Sequence, residues 1–393
     1  MVRRQLRAPR SLIAYVTLAL LGAGSACEPD PASTVTTAPE AQAATESSVP
    51  SPADASAVEA DATSPSTPGS EPAEPSAPEV PVDPIAAPDA ATLAKFMAGP
   101  QDDYLDFDKH YVKSNESRHD VWFPYIDGLG GAYVGVGADQ NYTLIARARS
   151  EWVFLLDIDP RVGETHWAYK ALIEKHDTPT AFLANFEPEG ESAAVATIEA
   201  AYAHLDEGER KRIRRGFRAA RETLRKHLAR VSKRSRNDAP STWLSDPAAY
   251  DWIRRLYLAG RVRIMPGDLT GAISMKTVGA NCEQLGTPVG VLYLSNAEEY
   301  FKYFAGEYRQ NVAALPGDAD SIVLRTLYGD DWVHADSLWN YQVQPLSDFA
   351  SRLADTKLRS RNSMIRRARA EAAFNEDTGV KGVSEVGPVR RRE

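Results

Sequence analysis

Residues 132–159, AYVGVGADQNYTLIARARSEWVFLLDID, hold two short apolar runs separated by a glycine turn and a helical stretch. A strand, a glycine turn, a short helix and a second strand ending in acid form the front half of a nucleotide-binding α/β unit. Gly135 and Gly137 close the first run. Asp157 follows Gly135 by 22 residues, close to the spacing at which a carboxylate reaches a ribose hydroxyl. The second run, bounded by acids, predicts a strand buried on both faces, and such strands need a helical layer on each side.

The alternation continues along the chain. Apolar runs at 262–265, 289–294 and 321–327 predict further strands, with helical patterns at 160–186, 247–260, 272–285 and 297–314. This order implies an α/β, Rossmann-like, mostly parallel sheet with helices on both faces. The domain is expected over 95–345, with a polar helical insertion at about 190–240. In the insertion Ile213, Phe217, Ala220 and Leu224 recur at helical spacing and make one buried stripe. Its basic run, Glu209 to Arg215, suits an anionic partner or a solvated hairpin whose bases pair with its own acids. Residues 103–115 read as an arm packed on the domain, and Ser114-Asn115-Glu116 as the opening of the next helix. Trp332 and Trp339 are expected to pack on the sheet, ahead of one arginine-rich helix at 346–372. Roughly the last 15 residues, up to 393, are expected to be free.

The N-terminus sets the compartment. Arg3, Arg4, Arg7 and Arg10 precede an apolar run at 12–23 and then Gly24-Ser25-Ala26-Cys27, the order of a bacterial lipoprotein signal peptide over 1–26. The run is too short for a comfortable membrane span. Cys27 follows small residues as in a lipobox, with Gly24 where that motif usually has leucine, and is the expected lipidation site. The same residues also suit a simple cleaved signal or an uncleaved anchor. In each case the body is expected in the cell envelope, exported and lipid-anchored to a membrane if Cys27 is modified. Residues 27–94 are rich in Ala, Pro, Ser and Thr and hold twelve acids and no base, so they are expected as a disordered tether. The tether carries most of the net charge of −9, while the body from Lys95 onward has 41 bases against 42 acids. Nucleic acid is therefore not an expected partner.

In sheets of this kind ligands bind outside the carboxyl ends of the strands. Four expected strand ends carry glycine or polar residues: 135–141, Asp157 with Asp159, Gly267-Asp268, and Ser295-Asn296. Together they predict a crevice for a small molecule. Glycines let the backbone approach it, one carboxylate can accept ribose hydroxyls and another an exocyclic amine.

GVG at 135–137, Asp157, GD at 267–268 and YLSN at 293–296 resemble the class I S-adenosylmethionine-dependent methyltransferase fold. More closely, GAYVGVGADQNYTLIARARSEWVFLLDI, YKAL at 169–172, GDLTGAISMKTVG, and LYLSNAEEYF with NVAALP are similar to an uncharacterised bacterial lipoprotein family with such a core, over most of 110–328. The resemblance implies S-adenosylmethionine as cofactor. Gly135 and Gly137 would lie against its amino-acid and ribose parts, Asp157 would hold the ribose diol, and Asp268 would contact the adenine amine. Gln140, Asn141, Tyr142, Ser295 and Asn296 stand where substrate-facing residues follow. Asp139 takes the place of the third glycine of the fuller motif, and no catalytic base is assignable.

Other chemistries have less support. Gln140 stands where GxGxxG has its third glycine, and no GxSxG elbow occurs. His166, His176, His204, His227 and His334 show no ligand spacing, so no metal is expected. Cys282 reads as a small buried hydrophobe. Two functions remain: an S-adenosylmethionine-dependent transferase of unknown substrate, and a non-catalytic binding or surface lipoprotein that keeps the fold. Asp157 and Asp268 favour the first. Export favours the second, since little S-adenosylmethionine is met outside the cytoplasm.

Overall fold

Each central strand turns alternate apolar side chains to opposite faces of the sheet, and this alternation decides where the helices sit. The structure, a computed structural model, describes Asp83 and residues 85–392. Its strands are β1 (Ala132–Val136), β2 (Trp152–Asp157), β3 (Ser235–Arg236), β4 (Ala239–Pro240), β5 (Val262–Pro266), β6 (Val289–Ser295), β7 (Ile322–Leu327), β8 (Asn340–Pro345), β9 (Phe374–Asn375) and β10 (Val383–Val386). Its helices are α1 (Ala90–Met97), α2 (Phe123–Ile126), α3 (Gln140–Ala148), α4 (Pro160–Lys175), α5 (Pro179–Ala184), α6 (Glu191–Ala201), α7 (Glu207–Val231), α8 (Pro247–Leu258), α9 (Ser274–Leu285), α10 (Gly306–Ala313), α11 (Leu346–Ala354) and α12 (Arg361–Ala370). The expected signal segment, Cys27 and most of the expected tether lie outside the described residues.

The main sheet has the order β5-β2-β1-β6-β7-β8-β10-β9. β5, β2, β1, β6 and β7 are mutually parallel, and β8 and β10 run the other way. The fold is thus α/β, with a mostly parallel eight-stranded sheet flanked by helices and compatible with a Rossmann-like arrangement. Tyr133, Val153, Leu155, Val291 and Tyr293 face a core closed by α3 to α8. Val134, Phe154, Leu156, Leu292 and Leu294 face a second core closed by α1 and α9 to α12. β1 is the switch point, with β2 on one side and β6 on the other.

Local chemistry starts and stops the helices as the sequence suggests. Asp159, Asp206 and Asp246 cap α4, α7 and α8 through backbone N–H groups, and Gly286 ends α9 in the left-handed region. In α7 the predicted stripe of Ile213, Phe217, Ala220 and Leu224 is buried. Much of its basic face is paired with acids of the same insertion, as in Arg214 with Glu199, Arg221 with Glu191 and Arg225 with Glu222. Within the basic run Arg210, Arg212 and Arg214 pair with Glu207, Glu209 and Glu199, as the self-paired reading expects. Cys282 is a core residue, and burial pushes its thiol up to about 12, which keeps it protonated.

Four boundaries differ from the sequence expectation. The fold begins before Lys95: Ile85 is buried, and Phe96 of α1 packs on Trp152 and Phe154 with ring centroids 4.8 and 4.9 Å away. The helix expected at 297–314 is broken, because Glu298 turns inward to Arg325 (3.0 Å) and Tyr308 (2.8 Å). The helix expected at 346–372 is two, α11 and α12. The tail expected to be free supplies β10, where Val383 and Val386 are buried and the strand pairs with β8.

Phe154 is fully buried between β1, β5 and α1. Phe154→Ala is expected to lower the unfolding free energy by about 3–5 kcal/mol, read from the denaturant midpoint at unchanged slope.

Candidate functional site

The arm between α1 and the helical turn at His119 runs across the carboxyl ends of the strands in nearly their spatial order. At the end of β5, Asp102 accepts from the backbone N–H groups of Asp268 and Ser274, each at 3.2 Å. At the end of β2, the Leu105 N–H donates to Ile158 (2.9 Å), and His110 meets Asp159 at 2.9 Å. Tyr104 lies against Gly163. Burial and the nearby charges of Asp157, Glu164 and Asp159 hold its hydroxyl protonated. At the ends of β6 and β7, Glu116 accepts from Tyr293 (2.7 Å), Ser295 (2.6 Å) and Thr326 (3.0 Å).

Under the arm, the β1 turn is built from its own side chains. Gly137 has φ +86°, which suits glycine. A Cβ on Gly135 would stand 2.2 Å from Asn141 Oδ1, so the side chain of Asn141 occupies the space that glycine leaves. Asn141 is fully buried, donates to the carbonyls of Val136 and Ala138 and accepts from Tyr133. Tyr142 is fully buried too, its hydroxyl 2.8 Å from both His166 Nδ1 and Tyr257. These placements correct the expectation that Asn141 and Tyr142 face a substrate. His166 Nε2 lies 2.8 Å from the Gly137 carbonyl. A carbonyl only accepts, so Nε2 carries the proton and Nδ1 accepts from Tyr142. Burial lowers this imidazole to about 4, leaving it neutral.

Asp157 stands at the end of β2 as expected. Its two oxygens accept from the N–H groups of Gly137 (3.1 Å) and Asp159 (2.8 Å), tying the turn to the neighbouring strand. The Asp268 carboxylate is turned into its own loop, where it accepts from the N–H and hydroxyl of Thr270, both at 2.7 Å. Asn296 bonds Glu299 near the surface. Ser295 takes a left-handed φ of +49° beside a register shift against β7, and this aims its hydroxyl at Glu116.

Two carboxylate–imidazole pairs converge beside this turn. His119 Nε2 meets Glu116 at 3.0 Å, and His227 Nε2 of α7 meets Asp139 at 2.8 Å. All four residues are buried. Burial alone would push the Asp139 carboxyl up, but His227, with His119 and Trp243, holds it below the usual carboxylate range. Together with Gln140, Thr143 and Arg234 they line a small polar cavity. The Gln140 Oε1 atom is buried there without a hydrogen-bond partner. Of the sequence candidates, Gln140 and its neighbour Asp139 line this cavity, while Ser295 reaches its wall through Glu116. Glu116, His119, His227 and Arg234 were not singled out by sequence as site residues. His227 had a signal, since it falls three residues after Leu224 on the buried stripe of α7.

Residues 111–387 match a family described as a domain of unknown function, DUF7790. The chain belongs to this family. The matched region contains the whole Glu116 cluster and omits α1 and residues 98–110. No curated protein matches the chain. Among the described residues, no group of three or more His, Cys, Asp or Glu side chains is placed to hold a metal ion, and no helix is long and apolar enough to cross a membrane.

Burial is the largest cause that pushes the Asp157 carboxyl up to about 7; the charge of Asp159 adds to it and the backbone donors oppose it. The unfolded chain ionises at about 3.9. Across the window between these values the folded state holds a proton that the unfolded state has lost. This contribution to stability is full below the window and declines as pH rises through it. Asp157→Asn does not titrate, so its stability relative to the native chain is expected to rise between about pH 4 and pH 8. Denaturation at both ends of the range checks this, and a pH-independent difference refutes it.

Proposed function

We propose that the chain is an exported lipoprotein, anchored in the cell envelope through Cys27, whose methyltransferase-type Rossmann-like domain binds a small molecule without catalysing S-adenosylmethionine-dependent transfer. The arm carries this reading. Tyr104 lies beside Asp157, where a ribose would sit, and Asp102 is bonded to the backbone of Asp268, where an adenine would lie. A cofactor entering that crevice must break the arm's bonds at β5 and β2. Each is worth about 0.5–1.5 kcal/mol net, and their sum is subtracted from the cofactor's affinity.

Asp157 favours a second reading, in which the arm opens for the cofactor. Each of its oxygens accepts one backbone N–H and keeps a lone pair that a ribose hydroxyl could use. Calorimetric titration of the whole chain with S-adenosylmethionine and S-adenosylhomocysteine separates the two. Neither is expected to bind in the micromolar range. Micromolar binding that Asp157→Ala abolishes would overturn the non-catalytic reading in favour of the transferase. For the anchor, Cys27→Ser is expected to stop fatty-acid labelling and release the protein from membranes; undiminished labelling would remove Cys27 from the proposal.

A further inference from the structure

We propose that the outward face of α7 docks on an anionic lipid bilayer and holds the domain against the membrane surface in one orientation. The proposal rests on the reading of the chain as an exported envelope protein, and it adds an electrostatic contact to the covalent one at Cys27. Charge is unevenly spread over the body. Residues 187–240, from the turn before α6 to the end of β4, hold thirteen bases and nine acids, whereas the rest of the body from Lys95 onward holds 28 bases and 33 acids. The insertion is the positive pole of a domain that is negative elsewhere, and such an asymmetry turns that pole towards an anionic surface.

Helical spacing gathers the charge on one stripe. Along the 25 residues of α7, Lys211, Arg215, Arg218, Glu222, Lys226 and Arg230 recur every three or four positions, and all six are exposed. Lys233, also exposed, prolongs the stripe past the end of the helix. The acids of α6 are turned to the flank of α7, where Glu199 holds Arg214 and Glu191 holds Arg221. On the stripe itself Arg218 reaches Glu191 (3.5 Å) and Lys226 reaches Glu222 (3.1 Å). Exposed pairs of this kind contribute little and exchange readily. Lys211, Arg215, Arg230 and Lys233 have no carboxylate within ion-pair distance among the described residues. These four are the charge left after the hairpin has paired its own.

The geometry selects a plane of anions as the partner. A helix of this length extends about 37 Å, so a small anion would meet one or two of these bases, whereas a leaflet of anionic headgroups meets the whole stripe at once. No large apolar side chain lies on the stripe, which suits adsorption on headgroups and excludes the insertion made by an amphipathic helix with an apolar face. Lysine and arginine near such a leaflet attract it additively and within about a Debye length, roughly 10 Å at 0.1 M salt. An anchor at Cys27 would confine the domain to the neighbourhood of a bilayer, so that weak attraction suffices to hold it there. The acids of the expected tether are repelled by the same leaflet and leave it to α7.

The test is co-sedimentation of residues 27–393 carrying Cys27→Ser, which contain every described residue and no lipid, with vesicles of phosphatidylcholine alone or with an equal part of phosphatidylglycerol. Binding is expected to the anionic vesicles only, and to be lost between about 0.05 M and about 0.5 M salt. Replacing Lys211, Arg215 and Arg230 together by alanine is expected to weaken it about tenfold or more with little change in melting temperature. Replacing Lys357, Arg359 and Arg366 by alanine removes the same charge from an exposed region outside the insertion, and is expected to leave binding nearly unchanged. Equal losses in the two triple variants would mean that bulk charge and not α7 is responsible, and would overturn the proposal. So would binding to soluble poly-glutamate without binding to vesicles, or no binding to anionic vesicles, whether the stripe is idle or covered by the acidic tether. Because the chain tested cannot be lipidated, these outcomes are independent of fatty-acid labelling at Cys27, and the two readings can fail separately.

Discussion

A single carboxylate, Glu116, holds together the face of the molecule where its parallel strands end. It is 2% exposed and takes hydroxyl donors from β6 and β7 and an imidazole donor from the turn that follows the arm. A carboxylate at that depth costs several kcal/mol unless its lone pairs are filled. The donors are therefore interdependent with the arm that delivers the charge. Ser295 adopts a left-handed backbone to supply one of them, and Tyr293 and Thr326 are placed by the register of β6 against β7. The same arm, held there, carries Tyr104 and Asp102 over the ends of β2 and β5. Closure of the crevice and burial of Glu116 are two effects of one path of the chain.

The sheet was legible because burial on both faces leaves a strong pattern in sequence. Apolar runs around 132–136, 152–157, 262–266, 289–295 and 322–327 became the five parallel strands, linked through helices as expected. Where the pattern failed, a long-range polar contact overrode local propensity. Residues 297–314 have helical composition, yet the buried pair of Glu298 and Arg325 draws the chain inward and breaks the helix. β10 is only four residues long, and pairing with β8 rather than its own composition makes it a strand.

The candidate site was legible in part for the same reason. Gly137 and Asp157 announce themselves because a positive φ and a strand-end carboxylate are local facts. Asn141 and Tyr142 looked equally suited to a ligand, but polar residues in a first helical turn can be consumed by the turn itself. Glu116 had no local signal: its partners lie at 293, 295 and 326, a distance in sequence that no spacing rule spans. His227 could have been found by helical arithmetic, since a histidine on an apolar stripe is buried and requires a polar partner.

A Rossmann-like sheet gathers turns, hydroxyls and carboxylates at one end whatever the protein does there, because parallel strands end together and helices start beside them. Those groups must be satisfied by a ligand, by water or by the chain. Along β5, β2 and β6 they are satisfied by the arm. Some buried side-chain atoms are left without a protein partner, among them Gln140 Oε1 beside α3 and Asn311 Oδ1 against the loop that follows β5. Complementarity left over after the fold has used what it needs is what separates a binding site from a well-packed strand end.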